Sequence, residues 1–261
     1  MLRATRCGDN CAFSALRKPG VLSLAAVTLL VLTISLPGFA SNLVVNGSFE
    51  TNGGNGQVNY TTTLSGWSLN NPSYTFVFGP GTADTTGANG QYGFLALWGP
   101  GNGSANGLPA TSPDGGYYIA QDSDFQQNAI YQTINGLTAG QSYTVSFWWA
   151  AAQQYTFNGP NQSQWQVSLG TQTQSTAFAS IPSHGFSGWM YQSFTYTATS
   201  SSEVLSFFAN GSPPVPPFAL LDGVTLNANS SVPEPGTITL MASGLMGAIG
   251  AVRRYQMKKR G

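Results

Sequence analysis

Apolar and polar side chains exchange places at every second position in short stretches between residues 41 and 232. A period of two marks a strand with one face buried. In 142–150, Tyr143, Val145, Phe147 and Trp149 share one face. In 163–170, Trp165, Val167 and Leu169 alternate with Gln164, Gln166 and Ser168. In 218–226, strict alternation puts Phe218, Leu220, Val224 and Leu226 on one face together with Asp222. The same reading predicts strands over 43–49, 74–78, 91–98, 117–121, 129–134, 191–198 and 203–209. No helical period interrupts them. Asn-Gly pairs at Asn46, Asn52, Asn55, Asn89, Asn102, Asn106, Asn135, Asn158 and Asn210 punctuate the pattern. Both residues of such a pair accept positive φ, so the pairs read as hairpin turns. Many short strands with frequent turns predict an all-β fold, an antiparallel β-sandwich of jelly-roll type. The Gly-, Pro- and Asn-rich stretch 79–116 reads as long surface loops around one strand. Residues 213–217 (PPVPP) read as a stiff connector.

The two ends follow a different pattern. Residues 21–36 (VLSLAAVTLLVLTISL) are almost wholly apolar and follow a segment carrying Arg3, Arg6, Arg17 and Lys18. Pro37 and Gly38 break the run, and Gly38 and Ala40 are the small residues of a cleavage site. This is the layout of a secretory signal peptide over 1–40, which implies the Sec export machinery and signal peptidase as partners. At the other end, the apolar run 237–252 precedes Arg253, Arg254, Lys258, Lys259 and Arg260. Its length is slightly short of a ~30 Å hydrocarbon core, and terminal cations can snorkel, so a C-terminal transmembrane helix is expected, with its basic end in the cytoplasm. The expected partition is therefore a signal peptide over 1–40, a sandwich over 41–228 and a linker with sorting and membrane segment over 229–261.

Charge sharpens this partition. The whole chain has nine basic and nine acidic residues among 261 and a formal charge of zero. No Lys or Arg lies between Lys18 and Arg253, whereas Glu50, Asp84, Asp114, Asp122, Asp124, Glu203 and Asp222 all lie in the sandwich segment. That segment therefore carries −7 with no cation. Nucleic acid is excluded as its partner, because phosphate recognition needs a basic surface. Both cysteines, Cys7 and Cys11, precede the expected cleavage point, so the exported domain has to be stable without disulfides.

The order of Val232, Pro233, Glu234 and Pro235, the apolar run and the basic end resembles the PEP-CTERM sorting signal of Gram-negative bacteria. The resemblance implies recognition and processing by an exosortase, transient anchoring in the inner membrane, and a destination at the cell surface or in an exopolysaccharide, biofilm-forming matrix. Glu234 is then part of the signal rather than a catalytic acid. The sandwich resembles galactose-binding-domain-like jelly rolls, including many carbohydrate-binding modules. The resemblance rests on NLVVNGSFE at 42–50, QTINGLTAGQSY at 132–143 and ALLDGVTL at 219–226. It implies a polysaccharide ligand, and it implies a structural Ca²⁺ held by Glu50 and Asp222. Hard carboxylate oxygens suit that ion, with backbone carbonyls completing the shell.

The residues suggest little catalysis. There is one histidine, His184, in what reads as a surface loop, and no cysteine in 41–229. Asp122 and Asp124 read as a solvated polar turn. Glu50, Asp122, Asp124 and Glu203 leave a glycoside hydrolase arithmetically open, but nothing in the sequence pairs them. The expected protein is not an enzyme; a structural or adhesive envelope protein without a specific ligand is the alternative to a glycan binder. All six tryptophans lie in the sandwich segment. Trp149 and Trp165 are expected in the core. Trp98 and Tyr155, in or beside loops, are the expected ligand contacts.

Overall fold

The computed structural model describes residues 41–229 and 235–259, with side chains of the second stretch described from Gly244 onward. The expected signal peptide, Val232, Pro233, Glu234 and Arg260 lie outside the described residues.

Fourteen strands follow in chain order: β1 (Gly56–Gln57), β2 (Ser68–Leu69), β3 (Thr75–Phe78), β4 (Ala88–Gly90), β5 (Gly93–Leu95), β6 (Tyr118–Asp122) and β7 (Ile130–Asn135), then β8 (Ser142–Gln153), β9 (Asn161–Leu169), β10 (Gln172–Ser175), β11 (Ala179–Ile181), β12 (Met190–Thr197), β13 (Ser202–Ser212) and β14 (Pro217–Ala228). One large sheet runs β1-β3-β6-β14-β8-β12 and a second β10-β9-β13-β7-β2, with β11 beside β9, while β4 and β5 pair as a separate two-stranded sheet. All the pairings are antiparallel. Successive strands mostly change sheet, so the fold is an antiparallel jelly-roll sandwich.

Alternation along the strands divides the buried side chains into two cores. Tyr143, Val145, Phe147 and Trp149 of β8 face Trp165, Val167 and Leu169 of β9 between the sheets. The second core lies on the outer face of the first sheet. There Phe76, Phe78, Tyr118, Ala120, Ala150, Ala152, Phe218 and Leu220 are covered by Ala83, Ala88, Leu95, Leu97 and Leu108. The stretch 79–116 is therefore a cover over an apolar sheet face, not a set of free surface loops. Its composition concealed this, because only one residue in several is apolar. A sheet face this rich in Phe and Leu needs a layer on it.

Three further expectations are corrected. Strict alternation through β14 fails at Gly223, whose φ is +59°, with a register shift between Asp222 and Thr225. The bulge turns Val224 and Leu226 into the inter-sheet core with Ala219 and Leu221, while Phe218 and Leu220 face the other way. Residues 43–49 form no strand. Asn46 and Phe49 have φ of 52° and 54°, and the segment folds as bends that push Val44 and Phe49 into the core. The Asn-Gly pairs do not generally make hairpins. Asn210 and Gly211 lie inside β13, Asn135 ends β7 before the chain crosses to the other sheet, and the tight β9–β10 hairpin turns on Gly170 and Thr171.

At the C-terminal end, Pro235–Lys258 form helix α1, 24 residues long. Among the described residues no helix is long and apolar enough to cross a membrane. The apolar run 237–252 begins among residues whose side chains lie outside the described ones. Arg253, Arg254, Lys258 and Lys259 are exposed.

Candidate functional site

Four large aromatic side chains stand exposed around one cleft: Tyr92 at 63 %, Phe94 at 55 %, Phe125 at 45 % and Phe157 at 40 %. The cleft measures about 370 Å³ and also reaches Tyr74, Asp122, Asp124 and Gln154, with Pro214 and Pro216 on its wall. Each wall has a reason to be where it is. The β4–β5 hairpin brings up Tyr92 and Phe94 as it crosses the outer face of the first sheet. Tyr74, just before β3, holds the floor. Its ring lies 5.9 Å from Tyr92 and 5.5 Å from Phe125, and Tyr92 and Phe125 are 5.7 Å apart. The tilted and edge-on arrangement is the one that aromatic quadrupoles favour. The Tyr92 hydroxyl takes a bond from the Gln126 amide at 2.8 Å, and Gln126 in turn accepts from Gln91 at 2.5 Å.

Asp122 and Asp124 close the loop after β6. Asp122 is 1 % exposed whereas Asp124 is exposed, so the expectation of a solvated turn holds for Asp124 and fails for Asp122. Its Oδ1 accepts from the amides of Asp124 at 2.9 Å and Phe125 at 3.0 Å, which shapes the turn that presents Phe125. Among the described residues Oδ2 has no hydrogen-bond partner. Burial pushes the Asp122 carboxyl up to about 7 against those two amides, and the charge of Asp124 adds to the rise. Burial, with the Asp122 charge next, also pushes the Tyr74 phenol up to about 12.

Trp98 and Tyr155 meet each other but do not line this cleft. Their rings are edge-to-face at 4.6 Å, and Trp98 stacks on His184 at 3.8 Å. The Trp98 indole donates to the Phe157 carbonyl at 2.9 Å and so holds the segment that carries Phe157. His184 is not a free surface residue; its Nε2 lies 2.6 Å from Asn158 Oδ1. Sequence reasoning missed Tyr92, Phe94, Phe125 and Phe157. The available signal was aromatic residues inside Gly- and Gln-rich loops, where no core demands them.

Asp222 is fully buried and bonded to the Ser112 hydroxyl and to the Gly223 amide at 2.8 Å. Burial pushes it up to about 8 against those donors, with the charges of Asp114 and Glu50 adding. The Glu50 Oε1 accepts from the Tyr117 amide at 2.7 Å. Among the described residues no group of three or more acidic, His or Cys side chains gathers in one place. A Ca²⁺ held by Glu50 and Asp222 would draw the rest of its shell from main-chain oxygens. The oxygen chemistry fits that ion, and no Lys or Arg of the sandwich competes for these carboxylates. Glu203 is committed elsewhere. Burial raises it, but Thr199 Oγ1 and amide, at 2.5 and 2.6 Å, and the Ser200 amide outweigh burial and lower its pKa.

Residues 231–254 match the PEP-CTERM protein-sorting motif. The motif implies an exported protein, held transiently at a membrane and processed by an exosortase. No curated protein sequence matches the chain. Among solved structures the chain is similar to TmCBM61 in complex with β-1,4-galactotriose, at 17 % identity over 73 % of this chain and 100 % of that one, TM-score 0.39. It is similar to the CBM22-1 xylan-binding domain of Paenibacillus barcinonensis Xyn10C, at 12 % identity over 74 % and 98 %, TM-score 0.37. It is also similar to the arabinose-bound MgGH51 α-L-arabinofuranosidase, at 12 % identity over 73 % and 27 %, TM-score 0.42.

Proposed function

We propose that the chain is an exosortase-sorted surface or extracellular-matrix protein, without catalytic activity, that binds polysaccharide in the aromatic cleft. The observation that carries this reading is the group of four exposed aromatic rings around one 370 Å³ cleft edged by Asp122, Asp124 and Gln154. A soluble domain has no folding reason to expose so much aromatic surface in one place. Pyranose rings offer apolar CH faces to such rings and hydroxyl edges to carboxylates and amides. Trp98 and Tyr155 support the Phe157 wall from behind.

A glycan array tests the reading, followed by titration of the hits against Tyr92→Ala and Phe125→Ala. Each substitution is expected to weaken binding about tenfold, the loss of roughly 1.4 kcal/mol of stacking. Silence across neutral, acidic and basic glycans refutes it. A hydrolase has one observation in its favour, the two carboxylates sharing the cleft. Release of reducing ends from the bound glycan would establish it; none is expected.

A Ca²⁺ ion at Glu50 and Asp222 belongs to the same proposal as a structural ion. What supports it is the burial of Asp222 near two other acids with no cation in the sandwich. Millimolar Ca²⁺ should raise Tm over that in EDTA, and Glu50→Gln should abolish the difference. An unmoved Tm in the unsubstituted protein removes calcium from the account.

A further inference from the structure

The geometry points to an amine-bearing glycan as the ligand of the aromatic cleft, with the sugar ammonium held between Asp122 and Asp124. This deepens the polysaccharide reading and rests on it. Three observations converge. First, Asp122 is 1 % exposed, lines the cleft, and has one carboxylate oxygen without a protein partner among the described residues. That oxygen is not one of the fully buried side-chain atoms left without a partner, so it reaches the cleft and can accept from a ligand. Second, the same cleft holds a second carboxylate, Asp124, and residues 41–229 contain no Lys or Arg to balance either one. Burial first, and then the charge of Asp124, hold Asp122 above its usual range, so a cation placed between the two would favour the ionised pair. Third, the walls are Tyr74, Tyr92, Phe94, Phe125 and Phe157. Aromatic faces attract an ammonium as well as sugar CH groups.

These features also choose against other ligands. A uronic or sulfated chain would bring anions to two carboxylates in a domain of charge −7, with no basic group to receive them. A bare metal ion gains nothing from five aromatic walls, and no metal-binding group of three such side chains exists among the described residues. A neutral sugar can stack but brings no counter-charge to the Asp124 carboxylate.

The test compares three soluble probes of similar length with the purified protein, by calorimetry in EDTA at pH 6.5. The probes are β-1,4-glucosamine oligomers, their N-acetylated counterparts and oligogalacturonate. The glucosamine oligomers should bind about tenfold more tightly than the N-acetylated ones, the worth of one charge-assisted contact. The preference should shrink as salt rises, and oligogalacturonate should not bind. Asp124→Asn should weaken the glucosamine oligomers more than their N-acetylated counterparts, so that most of the preference between the two is lost. Asp122→Asn, which keeps the Oδ1 acceptor of the turn, should do the same. Equal affinity for the amine and the N-acetyl probes, unaffected by either substitution, overturns the amine inference and leaves the polysaccharide reading standing. Binding of none of the three, together with a silent array, removes both.

Discussion

Asp122 spends part of its folding stability on being a buried acid. Its pKa is about 7 in the fold against 3.8 for a free side chain, so the folded state holds the proton more tightly. Stability from this group is complete below 3.8 and is lost as pH rises through about 7. Each pK unit is worth about 1.4 kcal/mol. Urea denaturation midpoints from pH 4 to 8 should therefore fall with pH in the unsubstituted protein. In Asp122→Asn the fall should be shallower, because the amide cannot ionise. A remnant should persist from Asp222, whose pKa of about 8 acts in the same direction. An unchanged slope in the variant would mean that Asp122 is ionised in the fold at ordinary acid pH. At the same scale, a ligand ammonium at Asp122 would supply what burial withholds, so binding and the pH slope are two readings of one carboxylate.

At the scale of the element, the segment 43–49 shows how the sandwich is closed without a strand. The Leu43 amide donates to the Leu226 carbonyl and the Val224 amide to the Gly47 carbonyl, each at 2.9 Å. Gly47 lies so close to β14 that a Cβ there would sit 1.9 Å from the Val224 carbonyl oxygen. Gly47→Ala should cost about 2 kcal/mol or more, by forcing the segment off β14. Gly54→Ala is the control: its φ is +92° but nothing lies within 4 Å, so only backbone strain of about 1 kcal/mol is expected. Thermal unfolding of the two variants checks the order. These contacts also show what was legible beforehand. Tyr143, Val145, Phe147 and Trp149 were readable as one face because twelve residues of β8 run without a bulge. The face of Val224 was not, because a single bulge residue inverts alternation for everything after it. The cover over the outer sheet face was hidden for a different reason. Ala83, Ala88, Leu95, Leu97 and Leu108 are spaced without period, since a covering loop follows the shape of the sheet below and not its own backbone repeat. The cleft was hidden with it, because Tyr92 and Phe94 owe their position to that cover. Trp98 and Tyr155 were legible as loop aromatics, but sequence cannot tell a wall from the prop behind it.

At the scale of the whole molecule, the zero net charge cancels segments that the sorting motif assigns different fates. The cations all lie outside 19–252, and the acids Glu50, Asp84, Asp114, Asp122, Asp124, Glu203 and Asp222 all lie within the sandwich segment. The match to the PEP-CTERM motif at 231–254 implies that the basic C-terminal end is separated from the sandwich during processing. Removal of the expected signal peptide takes the remaining cations. The processed protein would then focus far below the whole-chain isoelectric point of 6.5. Isoelectric focusing of protein recovered from a host with an active exosortase, beside protein from a host lacking it, measures this directly. The expected outcome is a more acidic species in the first host, because a retained tail adds Glu234 and five cations, which changes the charge from −7 to −3. Focusing at or above pH 6 in both would show that the basic ends stay attached, and that the sandwich meets its partners with those cations nearby. The amine preference of the cleft depends on that difference. A retained basic tail would offer ammonium and guanidinium groups of its own to the seven acids, while a processed domain of charge −7 leaves its carboxylates to calcium and to the glycan.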